Sequence, residues 1–123
     1  MITVSELRVG NLVLNEDGII HEIHGIDSIS ITSRKPNIAE PFENAHIHRY
    51  VPVSLTEERL VNFGFVKVKA ISGVICAYKK GGIRINISNS GNFYWKNKPV
   101  PYVHLLQNIY YFNELTGEEL KIN

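Results

Sequence analysis

The stretch Tyr102-Val-His-Leu-Leu-Gln-Asn-Ile-Tyr-Tyr-Phe-Asn-Glu-Leu115 is the part of the chain on which the rest is arranged. Set at helical spacing, Tyr102, Leu105, Ile109 and Phe112 form one stripe, with Val103, Leu106 and Tyr110 beside it. That apolar arc is wide enough for the main core helix of a small domain. The narrower remaining face carries His104, Gln107, Asn108 and Tyr111, four side chains that hydrogen-bond and carry no fixed charge. A solvated helix face more often shows Lys and Glu. These four residues are therefore candidate ligand contacts, their alternative role being to satisfy carbonyls within the protein itself.

Working back from this helix, Pro99 and Pro101 break the chain, and a run of strands precedes them. Phe65-Val-Lys-Val-Lys69 alternates, with Val66 and Val68 expected inward and Lys67 and Lys69 outward. Val74-Ile-Cys-Ala-Tyr78 is uniformly apolar, which predicts a buried, inert Cys76. Lys79-Lys-Gly-Gly82 reads as a hairpin, and Ile83-Arg-Ile-Asn-Ile-Ser88 alternates again with its isoleucines inward. Asn89-Ser-Gly-Asn92 is a turn before the strand Asn92-Phe-Tyr-Trp-Lys96. Upstream, Thr56 is a good N-cap for the two-turn helix Glu57-Glu-Arg-Leu-Val-Asn-Phe63, which Gly64 stops.

The first fifty residues have a different texture. Ser5 to Gly10 reads as a helical turn closed by glycine, and Asn11-Leu-Val-Leu14 as a strand. Asn15-Glu-Asp-Gly18 turns the chain into Ile19–Ile26, and Ser28-Ile-Ser-Ile-Thr32 follows with period-two alternation. Arg34 to Asn44 holds two prolines and reads as a loop, and His46–Val51 as a fourth short strand. The expected class is α+β: a small SH3-like β-meander, then a helix, antiparallel strands and the C-terminal core helix. It is read as a single domain with lobes at 1–52 and 53–123, the second running α-β-β-β-β-α.

With 123 residues, 44% of them hydrophobic and 20% charged, the chain falls in the range of globular proteins. No run of eighteen apolar residues predicts a membrane span, and no basic and apolar leader is visible at the N-terminus. A lone cysteine excludes an internal disulfide and fits a cytoplasmic setting. The net charge is only +1, but the signs are unevenly placed. No Asp or Glu occurs from Arg59 to Asn113, a span holding Arg59, Lys67, Lys69, Lys79, Lys80, Arg84, Lys96 and Lys98. Such segregation suggests a positive patch and an anionic partner.

The outward sheet face is expected to gather Lys67, Lys69, Arg84, Asn86, Tyr94 and Lys96, with Trp95 as a stacking ring. The expected ligand-binding set is thus Lys67, Lys69, Arg84 and Trp95 together with His104, Gln107, Asn108 and Tyr111. His21-Glu-Ile-His24 and His46-Ile-His48 bring imidazoles together but lack the further ligands and spacing of a zinc site, so no metal is expected. No phosphate loop, dinucleotide fingerprint or nucleophile elbow is present, and the acid-free span offers no carboxylate pair for acid–base work. These absences argue against an enzyme and a cofactor.

Three stretches carry a resemblance: Ser5-Glu-Leu-Arg-Val-Gly-Asn-Leu-Val13, Pro52-Val-Ser-Leu-Thr-Glu-Glu-Arg-Leu-Val-Asn-Phe-Gly-Phe65, and Tyr102 to Leu120 with its Leu-Thr-Gly-Glu-Glu-Leu ending. Together they resemble a family of small proteins of Bacteroidota phages, prophages and genomes, with Leu106 where the family motif has a polar residue. The resemblance implies an accessory protein that acts by binding, for example a counter-defence sponge that sequesters a nucleotide-like signal. The expected partner is a small anionic, nucleotide-like ligand. A nucleic acid on the basic sheet face and a protein-interaction module are the alternatives, and a cytoplasmic homodimer is the expected form.

Overall fold

The computed structural model describes residues 2–69, 76–113 and 119–120. The chain forms two compact units, Met1–Val53 and Ser54–Asn123. Its class is α+β, the described residues forming two antiparallel sheets and two α-helices. The boundary between the units falls one residue from the expected lobe division.

The N-terminal unit opens with a 3-10 turn, Val4–Glu6, and is then a meander of five strands. These are β1 (Leu12–Leu14), β2 (Ile20–Ile26), β3 (Ser30–Arg34), β4 (Glu43–His46) and β5 (Val51–Pro52). They lie in the order β4-β3-β2-β1-β5, compatible with the expected SH3-like arrangement. The alternation in β3 buries Ile31 and Ser33, and β2 buries His21 and Ile23 before a bulge between Ile23 and Gly25. Ile2, Val13, Ile23, Ile31, Ile47 and Tyr50 form the core. The segment expected as one strand from His46 is split: β4 ends at His46, Ile47–Arg49 make a 3-10 turn, and β5 follows. The turn before β3 is closed by Asp27, which accepts from the Ile29 amide and from both the hydroxyl and amide of Ser30. Those bonds hold its carboxyl below the ordinary carboxylate range.

The C-terminal unit begins with α1 (Glu57–Asn62). Thr56 caps it, its hydroxyl accepting from the Arg59 amide at 3.1 Å, with Glu57 and Glu58 in the first turn where the helix dipole favours them. Strands β6 (Val66–Val68), β7 (Cys76–Lys80), β8 (Ile83–Ile87), β9 (Phe93–Trp95) and β10 (Lys98–Pro99) follow, and then α2 (Val103–Asn113). The sheet runs β10-β9-β8-β7-β6, entirely antiparallel. Pro99 is tolerated because β10 is an edge strand, where a missing donor breaks no inner ladder. β7 extends through Lys80, which leaves Gly81 and Gly82 as the two-residue hairpin. Val74 and Ile75 of the expected strand, and Glu114 and Leu115 of the expected helix, lie outside the described residues.

Partners opposed across antiparallel strands share a face, so register sorts the side chains. Cys76, Tyr78, Lys80, Ile83, Ile85 and Ile87 form the inner face. Both helices meet it: Lys80 donates to the Phe63 carbonyl at the end of α1 at 2.7 Å, and its ammonium stands 5.3 Å from the Tyr110 ring of α2. Ala77, Lys79, Arg84, Asn86 and Tyr94 form the outer face.

Candidate functional site

Register places the basic residues differently from their sequence alternation. Val66 opposes Lys79, and Lys67 opposes Tyr78. Val66 and Val68 therefore share the outer face with Arg84, Val66 being 65% exposed, while Lys67 stands on the inner-face side at the sheet edge. The expectation of valines inward and lysines outward is reversed. The cause is that β6 is a three-residue edge strand whose parity is set by hydrogen bonding to β7, not by its own pattern. Lys67 and Arg84 thus do not belong to one patch. Lys69 lies just past the end of β6, where its carbonyl accepts from Arg84 Nη2 at 2.8 Å.

What the outer face does bring together is Lys79, Arg84, Asn86 and Tyr94. Lys79 and Arg84 are direct cross-strand partners, as are Asn86 and Tyr94. Two cations directly opposed are unfavourable in a sheet. Among the described residues no ion pair reaches Lys67, Lys69, Lys79, Arg84, Lys96 or Lys98, whereas Glu16, Glu22, Glu40 and Glu43 of the N-terminal unit each stand in one. Arg84 is held by two donors, Nε to Asn86 Oδ1 at 3.2 Å and Nη2 to the Lys69 carbonyl, which fixes the guanidinium and leaves other N–H groups for a ligand. Lys79 was not among the expected contacts. Its place was legible nonetheless, because counting outward from Gly81-Gly82 pairs Lys80 with Ile83 and Lys79 with Arg84.

Trp95 ends β9 and pairs with Lys98 across a two-residue turn of Lys96 and Asn97. The Lys96 ammonium lies 4.9 Å from the centroid of the half-buried Trp95 ring. Beside this hairpin, Phe93, Tyr94, Pro99 and Pro101 line an open cavity of about 390 Å3.

The helix stripe departs from expectation. The buried positions of α2 are Val103, Leu106, Gln107 and Tyr110, an i, i+3, i+4, i+7 set, together with His104. His104 is 0% and Gln107 1% exposed, so neither meets a ligand from solution; His104 stacks on Tyr102 at 5.8 Å between centroids. Phe112, expected in the core stripe, is 70% exposed. Two overlapping apolar arcs are available on this helix, and the sheet takes the one centred on Val103 and Leu106. Only Asn108, half-buried, and Tyr111, exposed, remain at the surface from the expected four.

A second constellation, in the N-terminal unit, lies outside the expected set. Asn15 Oδ1 accepts from the amides of Asp17 and Ile19, which leaves its Nδ2 to donate to His21 Nε2 at 3.2 Å. That direction assigns the His21 proton to Nδ1, which donates to Ser33 Oγ at 2.9 Å. Ser33 then donates to the Tyr50 hydroxyl at 2.9 Å, and Tyr50 to the Ile31 carbonyl at a long 3.5 Å. Glu43 Oε2 stands 3.4 Å from His21 Nδ1. His21 also borders a surface cavity of about 560 Å3 whose wall includes Phe42, with the Arg34 guanidinium 4.4 Å from the ring centroid. These residues do not form a nucleophilic triad: Ser33 is fully buried, and both ring nitrogens of His21 are already engaged.

The remaining chemistry is quiet. Cys76 is free and buried; burial, and next its hydrogen bond to Glu57, push the thiol up. Among the described residues no three His, Cys, Asp or Glu side chains gather to hold a metal ion, and no helix is long and apolar enough to cross a membrane. No protein-family model, no curated protein and no solved structure matches this chain.

Proposed function

We propose that the chain is a non-enzymatic binding module whose C-terminal unit takes an anionic, base-bearing ligand of the nucleotide or nucleic-acid class on the outer face of its sheet. The observation that carries this reading is the direct opposition of Lys79 and Arg84 with no carboxylate of the described residues paired to either. A phosphate between them converts a repulsion into two charge-assisted contacts. Asn86 offers an amide next to Arg84, and Tyr94 an aromatic face opposite Asn86. A sheet face with Lys79 exposed and Arg84, Asn86 and Tyr94 half-buried suits a polyanion that lies along it. The sequestration of a single nucleotide-like molecule is the second reading, favoured by the cavity beside Tyr94, whose volume is in the range of small-ligand sites. The resemblance of three sequence stretches to phage and prophage proteins supports an accessory protein acting in the cytoplasm of a bacterial host.

Calorimetry at low salt against cyclic nucleotides, ADP-ribose-type nucleotides and a short single-stranded oligonucleotide tests the proposal. At least one ligand binds, and Lys79→Ala and Arg84→Ala each weaken it by about tenfold, roughly the worth of one charge-assisted contact. Absence of heat for every ligand, or unchanged affinity in both variants, overturns it.

A further inference from the structure

The β9–β10 hairpin deepens that reading. Its two turn residues, Lys96 and Asn97, have φ values of 48° and 66°. A two-residue loop with both residues left-handed is the type I′ turn, which strongly favours Asn-Gly or Asp-Gly. Lys at the first of these positions is an unfavourable choice, because a long side chain with a Cβ resists the left-handed region. The strained residue is also the one whose ammonium covers the Trp95 ring. Lys98, directly opposite Trp95, is exposed and, like Lys96, has no ion pair among the described residues. Tyr94, the preceding residue, belongs to the outer face beside Asn86. Successive residues of β9 thus offer one ring to each side of the strand, each with cations on its own side.

Such a strand end can stack bases only if their faces are free. In a duplex each base is already covered by its neighbours. We infer that the hairpin Trp95–Lys98 is the base-stacking element for a strand that passes from the outer face round the β10 edge to the side on which Trp95 and Lys98 stand, and that the ligand is single-stranded nucleic acid in preference to duplex. The inference rests on the reading of the outer face as the phosphate-binding surface. Lys96 and Lys98 then meet backbone phosphates while Trp95 takes a base.

Trp95 is the only tryptophan in the chain, so its emission reports on this hairpin alone. The full-length protein is titrated with a fluorescently labelled decathymidylate strand, with the matching duplex, and with thymidine monophosphate, following both label anisotropy and Trp95 emission. The expected result is an anisotropy rise and quenched emission with the single strand, and at least about tenfold weaker binding of the duplex and of the monophosphate, from base stacking and added phosphates. Trp95→Phe, which keeps a ring, stays within about threefold of the parent, whereas Trp95→Ala loses about tenfold or more. Lys96→Gln weakens binding several-fold and provides the check should Trp95→Ala fail to fold. An anisotropy rise with unchanged emission and unchanged Lys96→Gln affinity overturns the stacking role and leaves the outer-face reading standing, as does equal or tighter binding of the duplex. No anisotropy change with any strand at low salt overturns the outer-face reading, and this inference with it.

Discussion

Ser33 has no solvent-exposed surface, yet its hydroxyl joins two hydrogen bonds of 2.9 Å, one from His21 and one with Tyr50. Removing that oxygen leaves His21 Nδ1 only the 3.4 Å approach of Glu43 and the Tyr50 hydroxyl only its long 3.5 Å bond to the Ile31 carbonyl. Ser33→Ala is therefore expected to cost about 2 kcal/mol, within the roughly 1–3 kcal/mol range for groups left unsatisfied in a core. A urea unfolding series checks the shift, and Tyr50→Phe, which keeps the His21–Ser33 bond and removes Ser33's other partner and the long bond to the Ile31 carbonyl, costs less. None of this chain of contacts was legible from periodicity. His21 stood out in the sequence only as half of a histidine pair, because its buried partner Ser33 lies twelve residues away and is brought to it by strand register. Cys76 is the opposite case: an uninterrupted apolar run around a single thiol was enough to foresee its burial.

At the scale of elements, α1 and the β7–β8 hairpin were readable because their signals are local. A capping threonine and a terminating glycine bound the helix, and a Gly-Gly pair sits between alternating strands. The face of β6 and the rotation of α2 were not, since each is decided by what the element packs against. On α2, Val103, Leu106 and Tyr110 outcompete Leu105, Ile109 and Phe112, and His104 and Gln107 are carried into the interior with the winning arc. The β9–β10 hairpin yields a prediction of its own kind. Replacing Lys96-Asn97 by Asn-Gly relieves the left-handed lysine and is expected to stabilise the protein by about 1 kcal/mol, the scale of such backbone strain. Thermal unfolding then shows a transition higher by a few degrees. The same double substitution lowers single-strand affinity, because the ammonium over Trp95 is gone. A variant that is more stable and binds as well as the parent separates the strain from the function.

Across the whole molecule the two units differ in charge. Residues 1–53 contain four Lys and Arg against seven Asp and Glu, a net of −3, and residues 54–123 contain nine against five, a net of +4. Binding through Lys79, Arg84, Lys96 and Lys98 engages about four phosphates, so log affinity is expected to fall with log salt at a slope near −3, about −0.7 per phosphate for a single strand. Each lysine-to-alanine change at these positions flattens the slope by about 0.7. Affinities measured from low to physiological salt provide the check. The unevenness of charge was plain in the sequence; its resolution into a bound and an unbound set was not, since Lys80 is spent on the end of α1 and Arg84 is partly spent on the carbonyl of Lys69.

The charge difference between the units has a colloidal consequence. A chain with a formal charge of +1 has almost no net repulsion from its own copies, while its acidic third-to-half and its basic remainder attract one another between molecules. In dilute buffer the protein is its own counter-ion, and a polyanion arriving at the basic unit must first displace a neighbour. Concentrated stocks therefore cloud on desalting and clear on addition of salt or of oligonucleotide, and the protein's own concentration becomes a competitor in every low-salt titration.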